Sequence, residues 1–145
     1  PTGIRGLALG ARGQGFGEVG HGEVRLLNER PLGVFQVESP VAVRNAAEIA
    51  AIVGVDVLFV GPADLSHSMG LPGRFDDPLY LDALRAVVGG ATAAGKQAGI
   101  LIRTADAIDL HLELGFRFIG IGADYWFIAD GARAAAAAAR ARLPG

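Results

Sequence analysis

Four short runs in this chain are apolar at nearly every position, and stretches with helical patterning separate them. They are Val34–Val37, Val57–Val60, Gly99–Ile102 and Phe118–Ile121. A strand with one face in water alternates apolar and polar residues, whereas a strand covered on both faces is apolar throughout. Each gap is long enough for a crossover helix, so the runs read as successive βα units of one parallel α/β sheet.

The gaps carry helix signals. Ser39 and Pro40 read as N-cap and first helical residue, and Val43, Ala46, Ala50 and Val53 then recur at helical spacing. Asp77 and Pro78 repeat the start signal, ahead of Leu81, Leu84, Val88 and Ala91. Thr104 is placed to cap a third helix through Ile108 and Leu112, with Gly115 to end it. A last, alanine-rich helix is expected within residues 125–142, where good helix formers pack on a sheet. The first thirty residues differ: Gly3, Gly6, Gly10, Gly13, Gly15, Gly17, Gly20 and Gly22 punctuate them. They predict a loop-rich opening with one short helix around Glu23–Asn28.

A length of 145 residues fits one domain, and 51% hydrophobic residues supply a core. Thirteen basic against fifteen acidic residues give a net charge of −2, which argues against a nucleic-acid footprint. With no cysteine, a disulfide scaffold, a thiol nucleophile and a cysteine-ligated metal are excluded. Residues 1–10 lack a signal-peptide pattern, so none is expected, and the longest uniform run, Ala134–Ala139, is far short of the roughly 20 apolar residues of a membrane span. A cytoplasmic protein without membrane or nucleic-acid partners is the expectation. Because Pro1 rather than Met opens it, the chain is expected to be part of a longer one.

The first apolar run leads into Glu38, and the second leads through Gly61, Pro62 and Ala63 into Asp64. In a parallel sheet both acids leave at the carboxyl edge, where α/β proteins build their sites. If the two strands are neighbours, about 4.8 Å apart, the carboxylates can converge on one cation. Two hard oxygen ligands favour Mg²⁺ or Mn²⁺ with positions left for water and substrate. The alternative is that one acid caps a helix and the other is solvated. Backbone N–H groups at Ala63 and Asp64 could hold a small carboxylate beside the ion; equally, the segment could be a tight turn with Asp64 as N-cap. Gln36 shares the strand face of Glu38 and could meet a substrate oxygen or orient a ligand.

A competing motif, Gly15-Phe16-Gly17-Glu18-Val19-Gly20, matches the G-x-G-x-x-G of dinucleotide-binding folds. That fingerprint needs its first glycine at a strand end, and here residues 10–14 intervene after the apolar Leu7–Leu9. An oxidoreductase domain using Gly15, Gly17 and Gly20 is therefore the lesser reading. His21, His67 and His111 have no shared ligand spacing.

Three segments together resemble one family: residues 35–40 around Gln36 and Glu38, residues 54–66 through Gly61-Pro62-Ala63-Asp64-Leu65-Ser66, and residues 95–101. It is the HpcH/HpaI aldolase and citrate lyase group of metal-dependent class II pyruvate aldolases, and the likeness runs from Gly3 to Asp124. The resemblance implies a (β/α)8 barrel in which the four βα units are strands five to eight. Residues 1–31 would form a glycine-rich opening, and 32–145 the second half of the barrel.

The resemblance also implies that Glu38 and Asp64 hold Mg²⁺, Mn²⁺ or Co²⁺ and that Gln36 touches the pyruvate unit. The turn Gly61-Pro62-Ala63-Asp64 would bind its carboxylate, with Leu101 and Ala123 lining the pocket. The implied reaction is retro-aldol cleavage of a 2-oxo-3-deoxy or 4-hydroxy-2-oxo acid to pyruvate and an aldehyde, in a protein that forms homo-oligomers. The family's enolate-stabilising Arg and proton-transferring His come from the first half of the barrel, and no residue here occupies their positions. A serine that contacts substrate in some members aligns with Leu9. A whole barrel needs about 250 residues, so the chain is expected to be an inactive half, or a non-catalytic fragment that self-associates. Val34, Val57, Phe59 and Ile100 are then expected to face water or another chain.

Overall fold

The computed structural model describes residues 10–18, 20–23 and 31–143, in two units that divide between Pro31 and Leu32. In the first unit, a 3-10 helix spans Arg12–Gly17. The expected helix over Glu23–Asn28 lies outside the described residues from its second position on, as do Leu7–Leu9.

The second unit holds four strands, β1 (Val34–Val37), β2 (Val57–Val60), β3 (Gln97–Ile102) and β4 (Phe118–Ile121). They pair in sequence order and all run parallel, with β1 and β4 as the outermost strands among the described residues. β3 begins two residues earlier than its apolar run, because Gln97 still pairs with Val57.

Six helices connect and follow them: α1 (Pro40–Arg44), α2 (Ala46–Ala50), α3 (Pro62–Ser68), α4 (Pro78–Ala93), α5 (Ile108–Leu114) and α6 (Asp124–Arg140). Ser39 accepts a bond from the Ala42 N–H and Asp77 from the Leu79 N–H, so both expected caps form. The single helix expected from Ser39 to Val53 is two, broken at Asn45, and Val53 is 99% exposed in the turn beyond. Close packing accompanies the break: a Cβ at Gly90 of α4 would lie 2.8 Å from the Ala47 nitrogen and 2.9 Å from Ala46 Cβ. Thr104 does not cap α5. A 3-10 turn over Ala105–Ala107 intervenes, and the Thr104 side chain makes no cap bond. Gly115 does end α5, at φ 104°.

The core lies between the sheet and α4. Val37, Val60 and Ile100 share one cross-strand row, are all but inaccessible, and meet Tyr80, Leu84, Val87 and Ala91 of α4. The buried stripe of α4 is thus turned by one residue from the expected Leu81 and Val88, which are only half-buried. Side-chain alternation decides which strand residues join this core, and it corrects the expectation for Ile100, which faces the helices and is buried. Val57, on the opposite face of an interior strand, is buried as well. Val34 and Phe118 on that face are 40% and 41% exposed, and Phe59 is half-buried.

Candidate metal and carboxylate site

The register of the sheet assembles one edge. Val37 pairs with Val60, and Val60 with Ile100, so Glu38 and Gly61, just beyond their strands, stand level with Leu101 inside β3. All three lie on the face away from the core helices, as does Gln36, which pairs with Phe59 one layer below. Below them, the Phe59 and Phe118 rings meet edge to face at 6.0 Å across Gly99, whose absent side chain leaves them room.

Glu38 is half-buried, and its carboxylate lies over Gly61: a Cβ there would come within 2.6 Å of Oε1 and 2.8 Å of Cγ. Gln36 Nε2 donates to Glu38 Oε1 at 2.7 Å, which leaves Oε2 and the second amide proton for other partners. Ser68, at the end of α3, donates its hydroxyl to the Glu38 carbonyl at 2.7 Å. The helix carrying Asp64 is thereby fastened to the end of β1.

Gly61 is the N-cap of α3 and Asp64 lies in its first turn, so the alternative of Asp64 as an N-cap does not hold. Nor does Glu38 cap a helix, since Ser39 performs that role for α1. The first α3 donor to a backbone carbonyl is Leu65, at 2.9 Å from the Gly61 oxygen. The Ala63 and Asp64 N–H groups precede it and lack intrahelical acceptors, as the first turn of any helix requires. Ala63 and Asp64 are exposed and Pro62 is half-buried.

Among the described residues, neither Glu38 nor Asp64 pairs with a Lys or Arg; the ion pairs lie elsewhere. Two carboxylates without a basic partner, the first hydrogen-bonded by the Gln36 amide, are hard-oxygen donors of the kind that a divalent cation takes. Leu101 lies over Gly120 on the same face, where a Cβ would be 3.3 Å from Leu101 Cδ1. Ala123 is the N-cap of α6, at the carboxyl end of β4. Each strand therefore contributes at least one of the expected residues to the edge.

His67 is exposed in the last turn of α3, while His111 Nδ1 is 2.7 Å from the Ala107 carbonyl and packs on Phe116. They do not converge. Gly15, Phe16 and Gly17 sit inside the 3-10 helix, with φ of 60°, 54° and 100°, rather than at the end of a strand. Sequence reasoning overlooked Ser68 and the aromatic floor. The inward parity of Phe59 and Phe118 on their strands was the available signal for the floor; nothing local marks Ser68.

Residues 4–130 match the family model for HpcH/HpaI aldolase/citrate lyase. The chain is 38% identical over 124 residues to a hydroxypyruvate/pyruvate aldolase of Delftia acidovorans, covering 86% of this chain and 46% of that one. It is 37% identical over 141 residues to a 4-hydroxy-2-oxo-heptane-1,7-dioate aldolase of Salmonella typhimurium, covering 94% and 52%. The crystal structure of an HpcH/HpaI aldolase/citrate lyase family protein from Burkholderia cenocepacia superposes with a TM-score of 0.82 at 34% identity, over 97% of this chain and 54% of its own. The chain thus spans about half the length of the curated relatives it matches, and its four βα units are a partial barrel of the (β/α)8 type.

Proposed function

The chain belongs to the HpcH/HpaI aldolase/citrate lyase family, and on that premise we propose that it carries the metal-binding and pyruvate-anchoring side of a class II pyruvate aldolase, as the second half of the barrel. The reaction is cleavage of a 2-oxo-3-deoxy or 4-hydroxy-2-oxo acid to pyruvate and an aldehyde. The observation that carries this reading is the pair of uncompensated carboxylates, Glu38 and Asp64, at the ends of adjacent parallel strands beside unbonded backbone N–H groups.

Glu38 and Asp64 would hold Mg²⁺, Mn²⁺ or Co²⁺, which would supply Lewis acidity toward a 2-oxo acid. The N–H groups of Ala63 and Asp64 orient the substrate carboxylate, and the remaining Gln36 amide proton donates to a substrate oxygen. Gly61 leaves the space that Glu38 occupies. Leu101 and Ala123 would line the substrate with apolar surface. Arg103, at the end of β3, is paired with Asp130, so the edge residues named here bind and orient, and the acid–base group would come from the rest of the barrel. The reading includes a cytoplasmic homo-oligomer, and a cysteine-free chain needs no oxidising compartment.

Titration calorimetry tests it. Mn²⁺ is expected to bind the chain, pyruvate to bind only with Mn²⁺ present, and NADH not to bind. Pyruvate binding independent of metal, or NADH binding lost on Gly15→Ala, would remove the assignment.

A further inference from the structure

Helix α6 has no fully buried residue and adds none to the core cluster, with Trp126 and Ala129 only half-buried. What reaches it from the sheet is Arg103, one residue beyond β3. Its Nη2 bonds both carboxylate oxygens of Asp130, at 2.9 and 3.1 Å, and its guanidinium carbon lies 5.0 Å from the centre of the Trp126 ring. Trp126 and Asp130 are four residues apart and share one helix face. The residue just before Arg103 acts on the other side of the same turn, because the Ile102 carbonyl accepts from the Gly122 N–H at 2.8 Å. Gly122 adopts φ 72°, and a Cβ there would meet the Phe127 ring. Two consecutive residues at the end of β3 therefore bracket the turn from Gly122 through Ala123 to Asp124.

We propose that Arg103 is a positioning residue, which clamps Trp126 and Asp130 and so fixes the turn that presents Ala123 at the carboxyl edge. The consequence for pyruvate rests on the function proposed above; the mechanical role does not. Both contacts are at the surface, with the Arg103 and Asp130 side chains 50% and 53% exposed, so screening by salt weakens the clamp. Arg133 bonds the same Asp130 from within α6, at 2.8 Å, and supplies the internal control.

Trp126 is the only tryptophan and reports the contact directly. In Arg103→Met, acrylamide quenching of Trp126 is expected to rise and exchange of the Gly122 amide to quicken by about fivefold, the scale of an exposed ion pair. Arg103→Lys, which keeps a cation over the ring, is expected to restore the quenching but not all of the exchange protection. About 1 M salt, where the Debye length is about 3 Å, is expected to reproduce the loss in the unaltered chain and to add nothing in Arg103→Met. Asp130→Asn should act like Arg103→Met, while Arg133→Gln should not, with circular dichroism confirming that each variant is folded.

With Mn²⁺ present, pyruvate affinity should fall in Arg103→Met while Mn²⁺ affinity is unchanged. Unaltered quenching and exchange in Arg103→Met and Asp130→Asn, or the same change in Arg133→Gln, would overturn the proposal. Failure of the unaltered chain to bind Mn²⁺ and pyruvate would instead overturn the functional reading, leaving the exchange result to judge Arg103.

Discussion

A methyl group added at Gly61 would come within 2.6 Å of Glu38 Oε1 and 2.8 Å of its Cγ, so Gly61→Ala must push the carboxylate out of place. Displacing a ligand's support typically lowers metal affinity by about 10- to 100-fold. Mn²⁺ affinity in Gly61→Ala is therefore expected to fall in that range, with thermal stability little changed. A larger loss is expected for Asp64→Ala, read by the same calorimetry. Tyr80 tests a different cost. It is fully buried, edge-on to Phe75, and its hydroxyl has no hydrogen-bond partner among the described residues. Tyr80→Phe removes that unpaired group and is expected to stabilise the fold by about 1 kcal/mol in urea denaturation. Burial also raises the phenol pKa above its ordinary 10.0. Above that pH the unfolded chain gives up the proton while the folded chain keeps it, so stability falls by roughly 1.4 kcal/mol per pH unit. That alkaline slope is expected to be shallower in Tyr80→Phe.

Within α4, two adjacent glycines make a matched pair. Gly89 is exposed and a Cβ there would meet nothing within 4 Å, whereas at Gly90 it would press on the Ala46 and Ala47 backbone. Gly89→Ala gains helix propensity and should stabilise by about 0.5–1 kcal/mol. Gly90→Ala gains the same propensity but overpacks the α2 contact, and is expected to be destabilising by roughly 1–3 kcal/mol before that gain is subtracted. Denaturation midpoints of opposite sign would show that helix contact, and not backbone entropy, selects Gly90. The sequence supports this element only in part. Asp77 and Pro78 announced where α4 begins, because capping is a local hydrogen bond. Of the α4 stripe, Leu84 and Ala91 are buried as expected, while Tyr80 and Val87 are buried in place of Leu81 and Val88; that shift and the break at Asn45 were not legible, because both depend on a facing surface far along the chain.

For the whole molecule, β1 and β4 end the sheet among the described residues, and Val34 and Phe118, on the face away from the core helices, are 40% and 41% exposed, where a closed barrel would cover them. The purified chain is expected to sediment as a self-associated species and to release no pyruvate from a 4-hydroxy-2-oxo acid; a stable monomer that turns over substrate would contradict both statements. Four strands, their parallel direction and the carboxyl edge after β1 and β2 were legible from apolar runs and short-range caps, whereas the adjacency of those strands entered only as a condition and their place in a barrel only through the family resemblance. Tertiary structure alone decided which face each strand residue buries, how Ser68 ties α3 to Glu38, and how Arg103 reaches Trp126 and Asp130. Those contacts join residues up to 30 positions apart, and only the register of paired strands brings such residues within the few ångströms that a hydrogen bond or an ion pair requires.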